Sequence, residues 1–348
     1  MSASAQQLHF EPLHPRFVAE VHGMDWSKPI PDETIEQLKK GIAKYGVLVF
    51  RKANLDNEAH IAFSRRFGNL DSMPLVHGRG RGRFPHLPAL FDISNLDEKG
   101  EVVQTTNRVA ALMSKGNELW HADMQYHPHR DKYSFLRAVE IPPPGCGGET
   151  EFADSRTAYE TLSPAMKDKI DHLVADCSLI HNRRLAAPEL YRDVDPYDWS
   201  VSRWKAVYPH EDSGRMNLYV TSYAYRFDGY TIAETQKLVQ ELITHGTQPD
   251  NVFKVKWEQN GDLVMWDNTA VWHRALDDSQ YKYKYKRDMR RTNTYDDGPY
   301  AFGENDPAND WKVNVPLDPF EAEKKQKLQT ADQGGAVASA VQEVSAAA

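Results

Sequence analysis

Gly261-Asp262-Leu263-Val264-Met265-Trp266-Asp267-Asn268-Thr269-Ala270-Val271-Trp272-His273-Arg274-Ala275 is the stretch on which the reading of the fold turns. A Gly-Asp turn leads into a short apolar strand, Leu263 to Trp266, too brief for a helix and bounded by turn residues. Val252 to Trp257 just upstream and Arg290 to Tyr295 downstream have the same short, strand-like character. Further back, Phe135 to Val139, Glu149 to Ala153 and the buried run Val47 to Phe50 join them, while residues 8–25 read as strands and turns. Helical spacing is confined to the flanks. Asp32 to Lys44 carries Ile35, Leu38 and Ile42 and ends near Gly46, and a second helix runs from about Asn57 to Phe67. Asp154 or Ser155 can cap a short helix to Leu162, with another from Pro164. Tyr230 to His245, with Ile232, Leu238, Leu242 and Ile243 along one face, is the best helix in the chain. Short strands with helices grouped early and late predict a mixed α+β protein whose core is an antiparallel sandwich or a jelly roll (a double-stranded β-helix), buttressed by helices.

The chain has 348 residues, 40% hydrophobic and 26% charged, enough for one sizeable core. No repeat or linker breaks the first 315 residues, so residues 1–320 are expected to form one domain. The end, 321–348, lacks aromatics and reads as a disordered tail. Residues 69–118 are irregular and rich in Gly, Pro and Arg, the pattern of a substrate lid loop. A net charge of −8 argues against nucleic acid or anionic lipid as a whole-surface partner. Cys146 and Cys177 form no disulfide framework, no signal peptide is visible, and no apolar run is long enough to span a bilayer. The expectation is a soluble cytoplasmic protein with a small-molecule partner, a homo-oligomer being left open.

The chemistry sits in three places. In Trp120-His121-Ala122-Asp123 an extended backbone would aim His121 and Asp123 to one side, offering an imidazole nitrogen and a carboxylate oxygen to one ion. Alone, His-x-Asp is a weak signal. His273, directly after Val271-Trp272, completes two histidines and one carboxylate, the facial set suited to non-heme Fe(II). Downstream, a strand from Arg287 would put Arg287, Met289 and Arg291 on one face and turn Arg290 away. An arginine aimed at the metal can clamp a dicarboxylate in a bidentate, charge-assisted pair, whereas Arg290 is read as solvated.

These segments make the chain resemble the taurine dioxygenase and dichlorophenoxyacetate dioxygenase family of Fe(II)/alpha-ketoglutarate-dependent oxygenases. The likeness runs from about Leu8 to Tyr300 through EVHGMD, GVLVFR, RRFGNLD, NELWHAD, GGETEFADSRTAYETLSP, GDLVMWDNTAVWHRA and RRT. The LWHAD and GDLVMWDN segments are closer to the phenoxyacetate branch. The resemblance implies an oxidoreductase with His121, Asp123 and His273 as iron ligands. It implies that Thr150 and Arg287 hold alpha-ketoglutarate, and that Arg291 lies near the cosubstrate and the substrate anion. Asn117 stands where the family often places a polar contact to ligand, with a turn role equally open. Asp71-Ser72-Met73-Pro74 stands where the taurine branch has a histidine, which argues against taurine. The implied reaction is hydroxylation of a small anionic substrate, or its cleavage by hydroxylation, consuming O2 and releasing succinate and CO2. A neutral heterocycle or secondary metabolite is the alternative.

Other residues carry weaker expectations. His127 and His129, split by Pro128 and followed by Arg130-Asp131-Lys132, read as an exposed turn rather than metal ligands. His210 is divided between substrate contact and turn. His77, Arg79, Arg81 and Arg83 form a glycine-spaced loop that could bring cations to an anionic substrate or simply be solvated. Trp199, Trp204 and Tyr208 either pack or line a pocket. A non-catalytic jelly-roll binding protein would need a disrupted triad, and a zinc hydrolase would leave Arg287 and Thr150 without a role.

Overall fold

A computed structural model describes residues 7–71, 83–104, 112, 114–276 and 280–308. His77, Arg79, Arg81, the expected tail at 321–348 and three parts of the 69–118 loop (72–82, 105–111 and 113) lie outside them. The early strands are β1 (His9–Pro12), β2 (Ala19–His22), β3 (Val47–Phe50), β4 (Phe91–Ser94), β5 (Asp131–Glu140) and β6 (Thr150–Asp154). Then come β7 (Val174–Ser178), β8 (Val201–Lys205), β9 (Val207–His210), β10 (Arg215–Leu218) and β11 (Ala224–Phe227). The last are β12 (Val252–Val255), β13 (Leu263–Asp267), β14 (Val271–Ala275) and β15 (Asp288–Tyr295).

A seven-stranded sheet runs β1-β2-β3-β13-β5-β15-β4, antiparallel except where β2 meets β3. Across from it lies the three-stranded sheet β12-β6-β14. Val49, Val264, Trp266 and Met289 from the large sheet meet Phe152, Val255 and Val271 from the small one in a shared core. The other face of the large sheet, with Phe50, Phe135 and Met265, is covered by α1 (Asp32–Tyr45) and α2 (Asn57–Arg65) through Ile35, Leu38, Ile42 and Phe63. Burying each such side chain contributes roughly 1.5–3 kcal/mol. The architecture is therefore α+β, with sheet packed on sheet and helices on the flank.

Local chemistry explains the helix ends. Gly46 adopts φ 71°, and its N–H closes α1 on the Ile42 carbonyl. Asp154 caps the helix Ser155–Glu160 and Ser163 caps Pro164–Ile170. Thr231 and Glu234 form a reciprocal capping box at the helix Ile232–Gly246. Leu238 and Leu242 of that helix are buried as expected, but Ile232 is 42% exposed because it stands in the first turn, beyond the packed face. The 69–118 stretch is not wholly irregular: β4 pairs with β15, and a 3-10 turn spans Lys115–Glu118. Trp204 and Tyr208 pack together around Arg130, and Trp199 packs in a small cluster with Ile180 and Tyr191.

Candidate metal centre

The antiparallel β14–β6 register sets His273 opposite Phe152 and Ala275 opposite Thr150. Directly paired residues share a face, so His273 and Thr150 project from the same side of this sheet. On the free edge of β14, His121 forms a two-way backbone bridge with His273, N–H to O distances being 3.0 and 2.9 Å. Only that one bridge is strand-like. The chain turns immediately afterwards, with Met124 at φ 58°, and this turn brings Asp123 round to the two histidines. Their ring centroids lie 4.2 Å apart, and His273 Nε2 is 3.7 Å from Asp123 Oδ1. One ligand atom from each of the three falls within 4.8 Å of the others, and all three residues are buried.

The protonation states suit a metal. His121 shares a 2.7 Å hydrogen bond between Nδ1 and the Leu119 carbonyl, which leaves Nε2 as the ligating nitrogen. Burial lowers the His121 pKa, and burial with His121 beside it lowers that of His273 well below the usual imidazole value. Both rings are thus neutral ligands near pH 7. Burial alone would raise the Asp123 carboxyl, but Arg291, the two histidines and Ser134 together bring it down to about 2. Behind the ligands, Ser134 Oγ donates to Asp123 Oδ2 at 2.8 Å, and Asn268 accepts the Asp123 N–H at 3.0 Å. Asn268 is itself held by Trp266 Nε1 at 3.1 Å and donates to Ser134 at 2.9 Å. Sequence reasoning missed this support. The signal was present in the Trp-Asp-Asn run before His273.

Arg287 lies just before β15, where Nε and Nη2 donate to the Gly148 carbonyl at 3.3 and 3.1 Å. Gly148 sits at φ 96°, and a Cβ there would fall 2.9 Å from Arg287 Nε, so the approach requires glycine. Burial lowers the Arg287 pKa, with Tyr281 and Glu149 opposing, yet no carboxylate pairs with it among the described residues. A cation resting on Gly148, which lies two residues before Thr150, is suited to receive an anion. Arg291 is more committed: Nη1 lies 3.2 and 3.3 Å from the two oxygens of Asp123, and Nε has no partner.

Several expectations need correcting. Arg290 does turn away from Arg291, but it is 3% exposed and paired with Asp288 rather than solvated. Arg83 is no free cation, since it bridges Asp92 at 3.0 Å and Asp288 at 2.6 Å. His127 is buried, and His129 stacks between Tyr295 and Phe302 at 4.5 and 4.3 Å, so this is not an exposed turn. Arg130 beside them is buried against Asp296. His210 engages Asp267 at 3.1 Å and Ser213 at 2.6 Å, which leaves neither ring nitrogen for a substrate. Asn117 is exposed on the 3-10 turn before the ligand segment.

The sequence profile of the taurine catabolism dioxygenase TauD, TfdA family matches residues 9–293. The chain belongs to this family. It is 34% identical to the alpha-ketoglutarate-dependent 2,4-dichlorophenoxyacetate dioxygenase of Cupriavidus pinatubonensis, over 82% of this chain and 97% of that one. It is 28% identical to the pentalenolactone F synthase of Streptomyces avermitilis, over 81% and 92% of the two chains. Among solved structures, AAD-2 in complex with Mn(II) and N-oxalylglycine superposes with a TM-score of 0.72 at 32% identity, covering 84% of this chain and 98% of that one. As a family member, the protein is an alpha-ketoglutarate-dependent dioxygenase that uses Fe(II), alpha-ketoglutarate and O2. Two neutral imidazoles and an ionised carboxylate, gathered at one buried point, are the donor set that Fe(II) requires.

Proposed function

We propose that His121, Asp123 and His273 hold the iron, while Arg287 and Thr150 hold alpha-ketoglutarate by its distal carboxylate, for oxidation of a small anionic organic substrate. We further infer that the two packed sheets are the jelly roll of this family, in a single catalytic domain over residues 1–320. The antiparallel pairing of β14 with β6 and of β13 with β5 supports this. Free Cys146 and Cys177 fit a reducing, cytoplasmic setting, and no described helix is long and apolar enough to cross a membrane.

The observation that carries the reading is the part-buried Arg287, without a carboxylate partner among the described residues and held on Gly148, two residues before Thr150, whose strand β6 pairs with the strand that presents His273. Bound Fe(II), with alpha-ketoglutarate and O2, supplies the C–H oxidation that yields succinate and CO2. The chain supplies the rest. Ser134 and Asn268 fix the Asp123 carboxylate, and the Leu119 carbonyl fixes the His121 ring. Arg287 orients the cosubstrate by a charge-assisted pair, and the core around Phe152 and Trp266 keeps water from the His273 side.

Likeness to a dichlorophenoxyacetate dioxygenase favours an organic acid as substrate. A second reading, a neutral heterocycle or secondary metabolite, is favoured by the engagement of Arg291 with Asp123. The test is succinate formation from alpha-ketoglutarate across aryloxyacetates, sulfonates and neutral heterocycles. Coupled turnover that needs Fe(II) and O2 is the expected result, and its absence with every compound would remove the assignment.

A further inference from the structure

Arg183 stands on the helix Leu179–Ala186, a segment to which the sequence pattern attaches no function. Its Nη1 donates to Asn182 Oδ1 at 2.8 Å, its Nε is buried without a partner, and no carboxylate pairs with it among the described residues. Asn182 in turn donates to the Gly116 carbonyl at 3.2 Å and to Ser222 Oγ at 2.8 Å. Ser222 N–H reaches the carbonyl of Trp120, the residue before the ligand His121, at 3.1 Å. A Cβ on Gly116 would lie 1.7 Å from Arg183 Nη1, so the guanidinium rests directly on the 3-10 turn that leads into the metal-binding segment. Tyr223 lies near by, its ring 6.1 Å from that of His121 and 5.0 Å from that of Tyr126. Burial dominates the pKa shifts of His121, Tyr126 and Tyr223, but each of them also feels the charge of Arg183.

A part-buried guanidinium with no counter-charge is costly unless something anionic meets it. Arg287 and Thr150 serve the cosubstrate from the Gly148 side, and Arg291 is engaged with Asp123. We propose that Arg183 binds the acidic group of the primary substrate from the His121 side of the centre, making it a specificity-determining residue for a carboxylate, sulfonate or sulfate. This rests on the iron-centre reading above. Asn182, Gly116 and Ser222 act as its positioning residues, holding the guanidinium in register with the ligand segment. Anchoring the acid there leaves the body of the substrate to extend toward the metal, where orientation gains rate.

The test uses enzyme loaded with Mn(II) and N-oxalylglycine, titrated with aryloxyacetates, alkyl sulfonates and alkyl sulfates and with the methyl esters of the carboxylates. Wild type should bind at least one acid more tightly than its uncharged counterpart. Arg183→Gln should weaken that acid at least tenfold while leaving N-oxalylglycine affinity and ester binding unchanged, and Arg183→Lys should recover part of the loss. Undiminished acid binding by a folded Arg183→Gln overturns the proposal. So does a wild type with no preference for any acid, a result that stands even if the variant fails to fold. Failure of wild type to bind N-oxalylglycine would instead strike the iron-centre reading.

Discussion

Arg290 and Arg291 are neighbours on β15, yet they belong to two unlike regions. On the outer side, Arg290 pairs with Asp288, and Arg83 bridges Asp288 and Asp92, with the Phe84 ring 4.2 Å from the Arg290 guanidinium. Two arginines there meet two aspartates, and the cluster is neutral. On the inner side, Arg291 meets Asp123, while Arg287 and Arg183 have no carboxylate among the described residues. The residue type is the same on both sides. What differs is the pairing: the outer arginines are closed on aspartates and structural, whereas Arg287 and Arg183 on the inner side are left open to an anionic ligand.

The sharpest way to break this contrast is at the inner ligands. His121→Ala, Asp123→Ala or His273→Ala should each reduce iron-dependent succinate formation to background, because a three-residue set has no spare ligand. Circular dichroism should stay native, and normal activity in any one variant would remove that residue from the set. The outer cluster should respond in the opposite way. Arg290→Met removes one of the two arginines that meet Asp288, leaving Arg83, and should cost about 1.5–3 kcal/mol in urea unfolding. The alpha-ketoglutarate requirement of the folded fraction should not change. A stability loss below about 1 kcal/mol would show that the cluster does not hold β4 and β15 together.

A smaller effect follows from pH. His60 of α2 lies behind β15 against Thr292, and burial, with Arg137 and Arg290 adding repulsion, lowers its pKa to about 3. Below the unfolded imidazole value of about 6.5 the unfolded chain binds a proton that the native chain refuses. Its contribution is therefore intact above that value and is lost as pH falls toward the folded pKa, by up to about 1.4 kcal/mol per unit. His60→Gln should flatten the difference in urea midpoint between pH 7 and pH 5. An unchanged slope would assign the acid sensitivity to other groups.

The two regions also differ in how far the sequence reveals them. The inner ligands could be read because His-x-Asp, the run around His273 and the RRT segment are local patterns with a chemical reason. α1 and the helix Ile232–Gly246 could be read from periodicity and caps. The outer cluster could not, because Arg83 and Arg290 look like surface charges until β4 is paired with β15 from far along the chain. β4 itself is four residues inside a Gly/Arg/Pro-rich stretch, and its strand character comes from its partner rather than its own propensity. His129 misled for a similar reason, since the aromatic rings that stack on it come from the C-terminal segment. Arg183 went unnoticed because an eight-residue helix with two arginines in its last turn reads as solvated; only the placement of Gly116 gives it meaning.

The openness of Arg287 to an anionic ligand is tested most directly by calorimetric titration of N-oxalylglycine into Mn(II)-loaded wild type and Arg287→Gln. Wild type should bind only when metal is present, and the variant should lose about 2–5 kcal/mol, or at least roughly 30-fold in affinity. Equal affinity in the variant, or binding by wild type without metal, would contradict the account.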